Sequence, residues 1–421
     1  MKQVLIIGIG RSSSVLVDYF LEYSKSNNTK IVLLDYQQNE YSKTIKNTPL
    51  CSIIFFDIYD KVKRHRVIKK SDIVVSMLPP RFHTLIAKDC INFKKNLVTA
   101  SYVSPEMLEL DSSAKESNIL ILNEIGLDPG IDHLSAMKII NSLNDEGANI
   151  LSFKSFCGGL IAPDSSNNPW DYKFTWNPRN VVLAGKDGSK YLKDGSIKEL
   201  KYNEVFANTE KITIPQYGDF ESYANRNSLN YIKKYNLENI KTLVRGTLRR
   251  PGFCSSWDIL VRSGLTSFDN IDIKNVKKKY QQLKKEIDND HLKNNLEYLD
   301  IFNQKDNFNS PGEFLQNILE KKWALSKRDK DMIVMQHKFE YELNKISYRL
   351  TSSMVLIGSD DIKTAMAKTV GLPVFFAAKL ILEGNTTLKG IKIPVHKELY
   401  SPILKSLENE GISFIDSIEE I

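Results

Sequence analysis

Cysteine is scarce in this chain and lacks any metal-binding spacing. Only four occur in 421 residues: Cys51, Cys90, Cys157 and Cys254. They form no C-x-x-C pair, which excludes the common zinc patterns, and a disulfide framework is not expected in a chain of this size. Reduced thiols in a cytosolic protein are the expectation. Long apolar runs are also missing. No stretch of about 18 apolar residues is read, so no membrane span is expected. The opening MKQVLIIGIG is too short an apolar run for a signal peptide, and it reaches Gly8 and Gly10 where a strand would turn. No long basic block appears: the net charge is +7, but the lysines are scattered among acidic residues. This argues against a nucleic-acid partner and fits a small acidic ligand. No internal repeat is found.

What is present reads as a soluble globular protein. Apolar residues make up 42% and charged residues 26%, both ordinary values, and the length calls for two or three domains. The first third alternates strands and helices. Apolar runs at Gln3–Ile7, Ile31–Leu34, Ile53–Phe56, Ile73–Met77, Leu97–Ala100 and Ile119–Leu122 are separated by helix-compatible segments. Six buried strands joined by crossovers predict a parallel, Rossmann-type α/β sheet over residues 1–130. Residues 131–270 and 328–421 read as a mixed α/β substrate domain, with the C-terminal helix able to pack back on the first domain. Residues 271–327 are charged and helical in character and read as a small helical subdomain. Ala365–Leu382 reads as a buried helix, kinked or broken by Gly371–Leu372–Pro373.

The run V-L-I-I-G-I-G-R-S-S-S begins a dinucleotide fingerprint. Gly8 allows a tight turn after the first strand. Gly10 lets the backbone approach a pyrophosphate, and the helix starting near Ser12 aims its N-terminus at that charge. The usual third glycine is Ser13, still small enough for close packing. Asp35 ends the second strand, where a carboxylate accepts from ribose hydroxyls and repels a 2′-phosphate. It tilts the expected cofactor toward NAD over NADP. Arg11 cuts the other way, because it can pair with a phosphate. Asp57 and Ile58 are placed to flank the adenine. Ser76, Leu78 and Pro79 follow the fourth strand, along the path to the nicotinamide, and Ser101 and Tyr102 follow the fifth.

Longer motifs lie downstream. They are T-A-S-Y-V-S-P (Thr99–Pro105), N-E-I-G-L-D-P-G-I-D-H (Asn123–His133), S-F-C-G-G-L-I-A-P-D (Ser155–Asp164), N-N-P-W-D-Y-K-F-T-W-N-P-R (Asn167–Arg179), Y-A-N-R-N-S (Tyr223–Ser228), V-R-G-T-L-R (Val244–Arg249) and A-M-A-K-T-V-G-L-P (Ala365–Pro373). In order and over nearly the whole chain, they resemble the saccharopine dehydrogenase family, of the glutamate-forming type. The resemblance implies NAD(P)-dependent, reversible oxidation of saccharopine to L-glutamate and 2-aminoadipate 6-semialdehyde in lysine metabolism.

Saccharopine carries three carboxylates, so its pocket needs fixed cations. Arg226 and Arg249 are the leading candidates, with Arg245 and Lys173 behind them. The resemblance places Asp128 at the substrate beside the nicotinamide, with Leu127 before it against the cofactor. Ser101, Tyr102, Cys157, Gly158 and Thr247 are expected to line the substrate, Gly158 by letting backbone approach it. Tyr102 or Asp128, acting through a water, is the candidate acid/base. Glu124 and Asp132 are read as helix-capping or turn-holding, and His133 as structural. No metal site is expected. A homodimer is compatible with the chain. The family's L-P-A-P-E is L-I-A-P-D here, and Arg250 stands where an aromatic residue is usual, which puts the exact substrate in question. Two other readings remain open: an imine reductase acting on another carboxylated secondary amine, such as a carboxynorspermidine, and a non-catalytic dinucleotide-binding regulator.

Overall fold

Four consecutive apolar residues, Val4–Ile7, are all buried, which requires packing on both faces of their strand. In the computed structural model they form most of β1 (Gln3–Ile7), in the interior of a parallel sheet. The structure describes residues 1–305 and 307–421, with the side chain of Arg11 left out. β1 lies between β2 (Lys30–Asp35) and β4 (Ile73–Ser76). β3 (Cys51–Phe55) flanks β2, while β5 (Asn96–Val98) and β6 (Leu120–Leu122) extend the other side. Each run read as a strand forms one.

The sheet has a seventh strand that periodicity did not reveal. Gly390–Lys392 pairs parallel with β6. Three residues are too few for an apolar pattern, so this strand is set by its neighbours. Gly390 N–H donates to Ile119 O at 2.8 Å, Ile391 N–H to an Asp111 carboxylate oxygen at 2.8 Å, and Asn123 N–H to Lys392 O at 2.9 Å.

The chain divides into two compact units, Met1–Ser142 with Ile362–Ser413, and Leu143–Asp361 with Phe414–Ile421. The expected division puts 328–421 in the second domain with its C-terminal helix able to pack back on the first; Ile362–Ser413 belongs to the first unit. Within that unit the helix Ala365–Leu382 packs on α1 (Ser14–Asn27). Phe375 meets Phe20 edge-on at 4.9 Å between ring centroids. Gly371 sits so close that an added Cβ would lie 2.9 Å from Leu16 N. Of the two expectations, a kink or a break, the break does not occur: the helix is continuous, with Pro373 inside it. It is also long and apolar enough to cross a membrane by length and composition, with Lys368 and Lys379 along it. Of that stretch 72% is buried inside the fold, as in a core helix.

The second unit holds a mixed ten-stranded sheet. Its spine is β7 (Asn149–Ile161), parallel to Thr242–Arg249 and antiparallel to Asp331–Leu343. One core of this unit gathers Trp170, Tyr172, Phe174, Trp257 and Trp323 with residues of four helices, Phe253–Ser263, Ile273–Lys285, Asp290–Tyr298 and Pro311–Lys322. The segment 271–327 is helical as expected, yet its Val276, Tyr280, Leu296 and Phe314 enter this shared core rather than one of their own.

Candidate active site

The turn after β1 carries the dinucleotide signature, and its two glycines answer different demands. Gly8 has φ +97°, and an added Cβ would lie 3.0 Å from both Met77 C and Met77 O, so the fold itself requires glycine. Gly10 has φ −87°, and a Cβ there would meet nothing within 4 Å. Neither conformation nor packing calls for glycine at 10. The open space beside Gly10 leaves the turn room for a pyrophosphate. Ser13, in place of the third glycine, is 1% exposed and donates its hydroxyl to Gly10 O at 2.8 Å. Ser12 lies in the short 3-10 turn Arg11–Ser13 that precedes α1. The side chain of Arg11 lies outside the described residues.

Asp35 serves this turn directly. One carboxylate oxygen accepts from Ile9 N–H at 2.7 Å and the other from Tyr36 N–H at 2.7 Å. Asn39 donates to Ile9 O at 2.7 Å, so the Ile9 peptide is held from both sides. Asn39 was missed in the sequence because an amide in a polar loop gives no signal. Asp57 is exposed and accepts from Tyr59 N–H, while Ile58 is buried.

At the ends of β4 and β5 lies a buried polar chain. His83 opens the helix His83–Asn92. Its Nδ1 is 3.0 Å from Ser76 Oγ, and its Nε2 is 2.7 Å from Ser101 Oγ and 3.3 Å from Thr99 Oγ1. Burial pushes the imidazole down to about 4, so it is neutral near pH 7. Ser76 is fully buried with its hydroxyl on His83. Leu78 is half-buried and Pro79 exposed. His83 was overlooked because one histidine on a helix carries no spacing pattern.

Asp128 stands in a tight turn closed by Gly126 N–H to Pro129 O at 2.8 Å and Ile131 N–H to Gly126 O at 2.9 Å. A Cβ on Gly130 would fall 1.9 Å from Gly126 O, so only glycine completes this turn. Leu127 beside it is buried at 6% exposure. Asp128 is half-buried, and Tyr102 Oη donates to its Oδ1 across 3.4 Å. The two candidate acid/base residues therefore meet in the first unit.

In the second unit, the strand Thr242–Arg249 alternates its side chains, which puts Arg245, Thr247 and Arg249 on one face. Thr247 pairs with Tyr223 on one side and Cys157 on the other, so these three form a row. Arg249 is 3% exposed. Its guanidinium donates to Leu248 O at 2.9 Å and to Tyr223 Oη at 3.5 Å, and its Nε has no partner. The rings of Tyr172 and Phe253 lie 5.1 and 5.2 Å from it. Among the described residues no carboxylate forms an ion pair with Arg249. Tyr172 Oη, buried in the same cluster, is also unpaired. Burial pushes the Tyr223 phenol up, and the Arg249 charge works against that shift.

Arg245 is buried with its guanidinium 4.3 Å from the Tyr231 ring, while Arg226 is exposed at φ +54°. Gly158 follows Cys157 and so faces the other side of the sheet, where an added Cβ would lie 2.8 Å from Leu248 Cβ. The missing side chain leaves room for Leu248. Lys173 is no free carboxylate grip: it is buried and bonded to Asp329 at 2.6 Å.

Comparisons with known proteins agree with this layout. Residues 4–122 match the saccharopine dehydrogenase NADP binding domain, and residues 126–412 match the saccharopine dehydrogenase C-terminal domain. The chain is 32% identical to saccharopine dehydrogenase [NADP(+), L-glutamate-forming] of Pyricularia oryzae, covering 97% of each. It is also 32% identical to the mitochondrial alpha-aminoadipic semialdehyde synthase of Rattus norvegicus, with 98% of this chain matching 47% of that protein. Among solved structures, apo saccharopine dehydrogenase (L-Glu forming) from Saccharomyces cerevisiae superposes with a TM-score of 0.89 at 29% identity, over 100% of both chains. A homospermidine synthase from Legionella pneumophila shares the fold at a TM-score of 0.63 and 9% identity, over 99% of this chain and 91% of that one. The NAD preference drawn from Asp35 finds no support: its carboxylate holds the turn, and the matching domain and the fungal relatives are named for NADP. With its nucleotide-binding and C-terminal halves both matched in order, this chain belongs to the saccharopine dehydrogenase family.

Proposed function

We propose that the protein is an NADP-dependent, L-glutamate-forming saccharopine dehydrogenase, acting reversibly in lysine metabolism. The observation that carries this reading is Arg249. A guanidinium taken out of water needs compensation, and no carboxylate of the described protein supplies it. A substrate carboxylate would take that place, held by the fork geometry that suits arginine to it. Thr247, Tyr223 and Arg245 share its face or row, and Arg245 adds a second cation.

The Gly8–Gly10 turn, with the N-terminus of α1 behind it, fits the pyrophosphate of the cofactor. When bound, the nicotinamide supplies the hydride acceptor for the substrate carbon next to the secondary amine. The protein must then guide water to that carbon and move protons at nitrogen and oxygen. Asp128 carries the acceptor charge for an ammonium group. Tyr102, hydrogen-bonded to Asp128, can pass a proton to or from it. Neutral His83 orients the Ser101 hydroxyl beside Tyr102.

The test is a steady-state assay of purified protein with saccharopine and either NADP or NAD, followed by the absorbance of the reduced nicotinamide, with glutamate identified as product. Turnover with NADP is expected. No turnover with either cofactor sinks the substrate assignment, and a clear preference for NAD sinks the cofactor assignment.

A further inference from the structure

Glu124 sits where no simple loop residue needs to be. It is 1% exposed, and its backbone is left-handed, with φ +57°. Its interactions bracket Tyr102. Glu124 N–H donates to Ser101 O at 3.0 Å, and its Oε1 accepts from Val103 N–H at 3.2 Å. Both peptide neighbours of Tyr102 are therefore held by one residue. The other carboxylate oxygen, Oε2, lies 2.9 Å from Nε2 of His133, which is fully buried. A carboxylate only accepts, so Nε2 carries the proton. His133 N–H in turn donates to Gly130 O at 3.0 Å, and Asp132 Oδ1 accepts from Gly130 N–H at 2.6 Å. Gly130 closes the turn that presents Asp128.

An unbroken set of hydrogen bonds thus runs from the Tyr102 loop through Glu124 and His133 to the Asp128 turn. If stability alone were at stake, a well-packed apolar pair would replace a buried carboxylate–histidine pair at little or no cost. What the polar pair supplies is direction. The Tyr102–Asp128 bond is already long at 3.4 Å, so small displacements break it. We infer that Glu124, locked by His133, is a positioning residue that sets Tyr102 against Asp128 for proton transfer. This rests on the dehydrogenase reading above.

The experiment compares wild type with Glu124→Ala, Glu124→Gln and His133→Ala as full-length proteins. Displacements near 1 Å at a reacting pair cost up to about 100-fold in rate. Glu124→Ala is expected to lower kcat with saccharopine by roughly 10- to 100-fold, with the dissociation constant for NADP unchanged. Glu124→Gln keeps the acceptor for Val103 N–H and is expected to recover most of that loss. Amide exchange over residues 101–104 should speed up in Glu124→Ala and return toward wild type in Glu124→Gln. His133→Ala is expected to lower kcat in the same way, so the inference stays testable if Glu124→Ala does not fold. Unchanged kcat in the alanine variants overturns it, as does unchanged exchange at 101–104. Loss of NADP affinity in parallel with kcat also overturns it, by pointing to a general structural role. If wild type lacks saccharopine turnover, the functional reading fails, while the exchange measurement still decides whether Glu124 holds the loop.

Discussion

Arg249 separates function from stability at one residue. Among the described residues no carboxylate pairs with its buried charge, and a carbonyl, a phenol and ring faces surround it. Arg249→Met is therefore expected to cut kcat/KM for saccharopine by about 100-fold, near 3 kcal/mol, as when a buried partner of a charged group is removed. Its melting temperature should not fall. A parallel loss of thermal stability would mean that Arg249 is structural. His83 makes a second residue-scale prediction. Its folded imidazole titrates near 4, below the ordinary 6.5, because burial disfavours the cation. The unfolded chain thus binds the extra proton first as pH falls. Stability from this group is complete above pH 6.5 and is lost toward pH 4, by roughly 3 kcal/mol at about 1.4 kcal/mol per unit. Urea unfolding at pH 7 and pH 4.5 should show this loss in wild type and a smaller one in His83→Gln. Equal losses in both would remove His83 as the cause. Neither behaviour was legible beforehand: the sequence marked Arg249 as a candidate, but its burial, with no carboxylate beside it among the described residues, is a property of the fold.

At the scale of elements, period and punctuation served well wherever a segment buries itself by its own pattern. β1 to β6 are apolar runs, and each forms the strand that its pattern predicts. The pattern failed where a partner decides. Gly390–Lys392 becomes a strand only because β6 and Asp111 offer hydrogen bonds. Gly371–Leu372–Pro373 reads as a helix breaker, yet the helix runs through it, since Gly371 lets α1 approach. That close approach gives the helix-pair prediction. Alanine improves helix propensity by about 1 kcal/mol, but its Cβ would meet the backbone nitrogen of Leu16 at 2.9 Å. Overpacking of that kind costs about 1–3 kcal/mol, and backbone yields less than a side chain. Gly371→Ala should therefore lower the urea midpoint. An increase would mean that the helices can part without cost.

For the whole molecule, NADP is the natural probe, because residues 4–122 match the family's NADP binding domain. At 100 times its dissociation constant, a ligand adds about 2.7 kcal/mol to the stability of the state it binds. NADP is expected to raise the melting temperature of the transition assigned to residues 1–142 and 362–413 more than NAD at equal concentration. A larger shift with NAD would return Asp35 to the role first read for it. The chain forms two units, so a single melting temperature need not describe both.

The sequence by itself determined the alternating strands of the first unit, the dinucleotide turn and the order of the motifs. Each depends on neighbours close in the chain, where apolar period and glycine placement act directly. Only tertiary structure decided that Asp35 holds the turn, that Gly158 faces away from Cys157, and that Lys173 is already paired. It likewise decided that Glu124 and His133 join the Tyr102 and Asp128 loops. Those outcomes depend on which groups the fold brings within about 3 Å across the chain, and on which it removes from water.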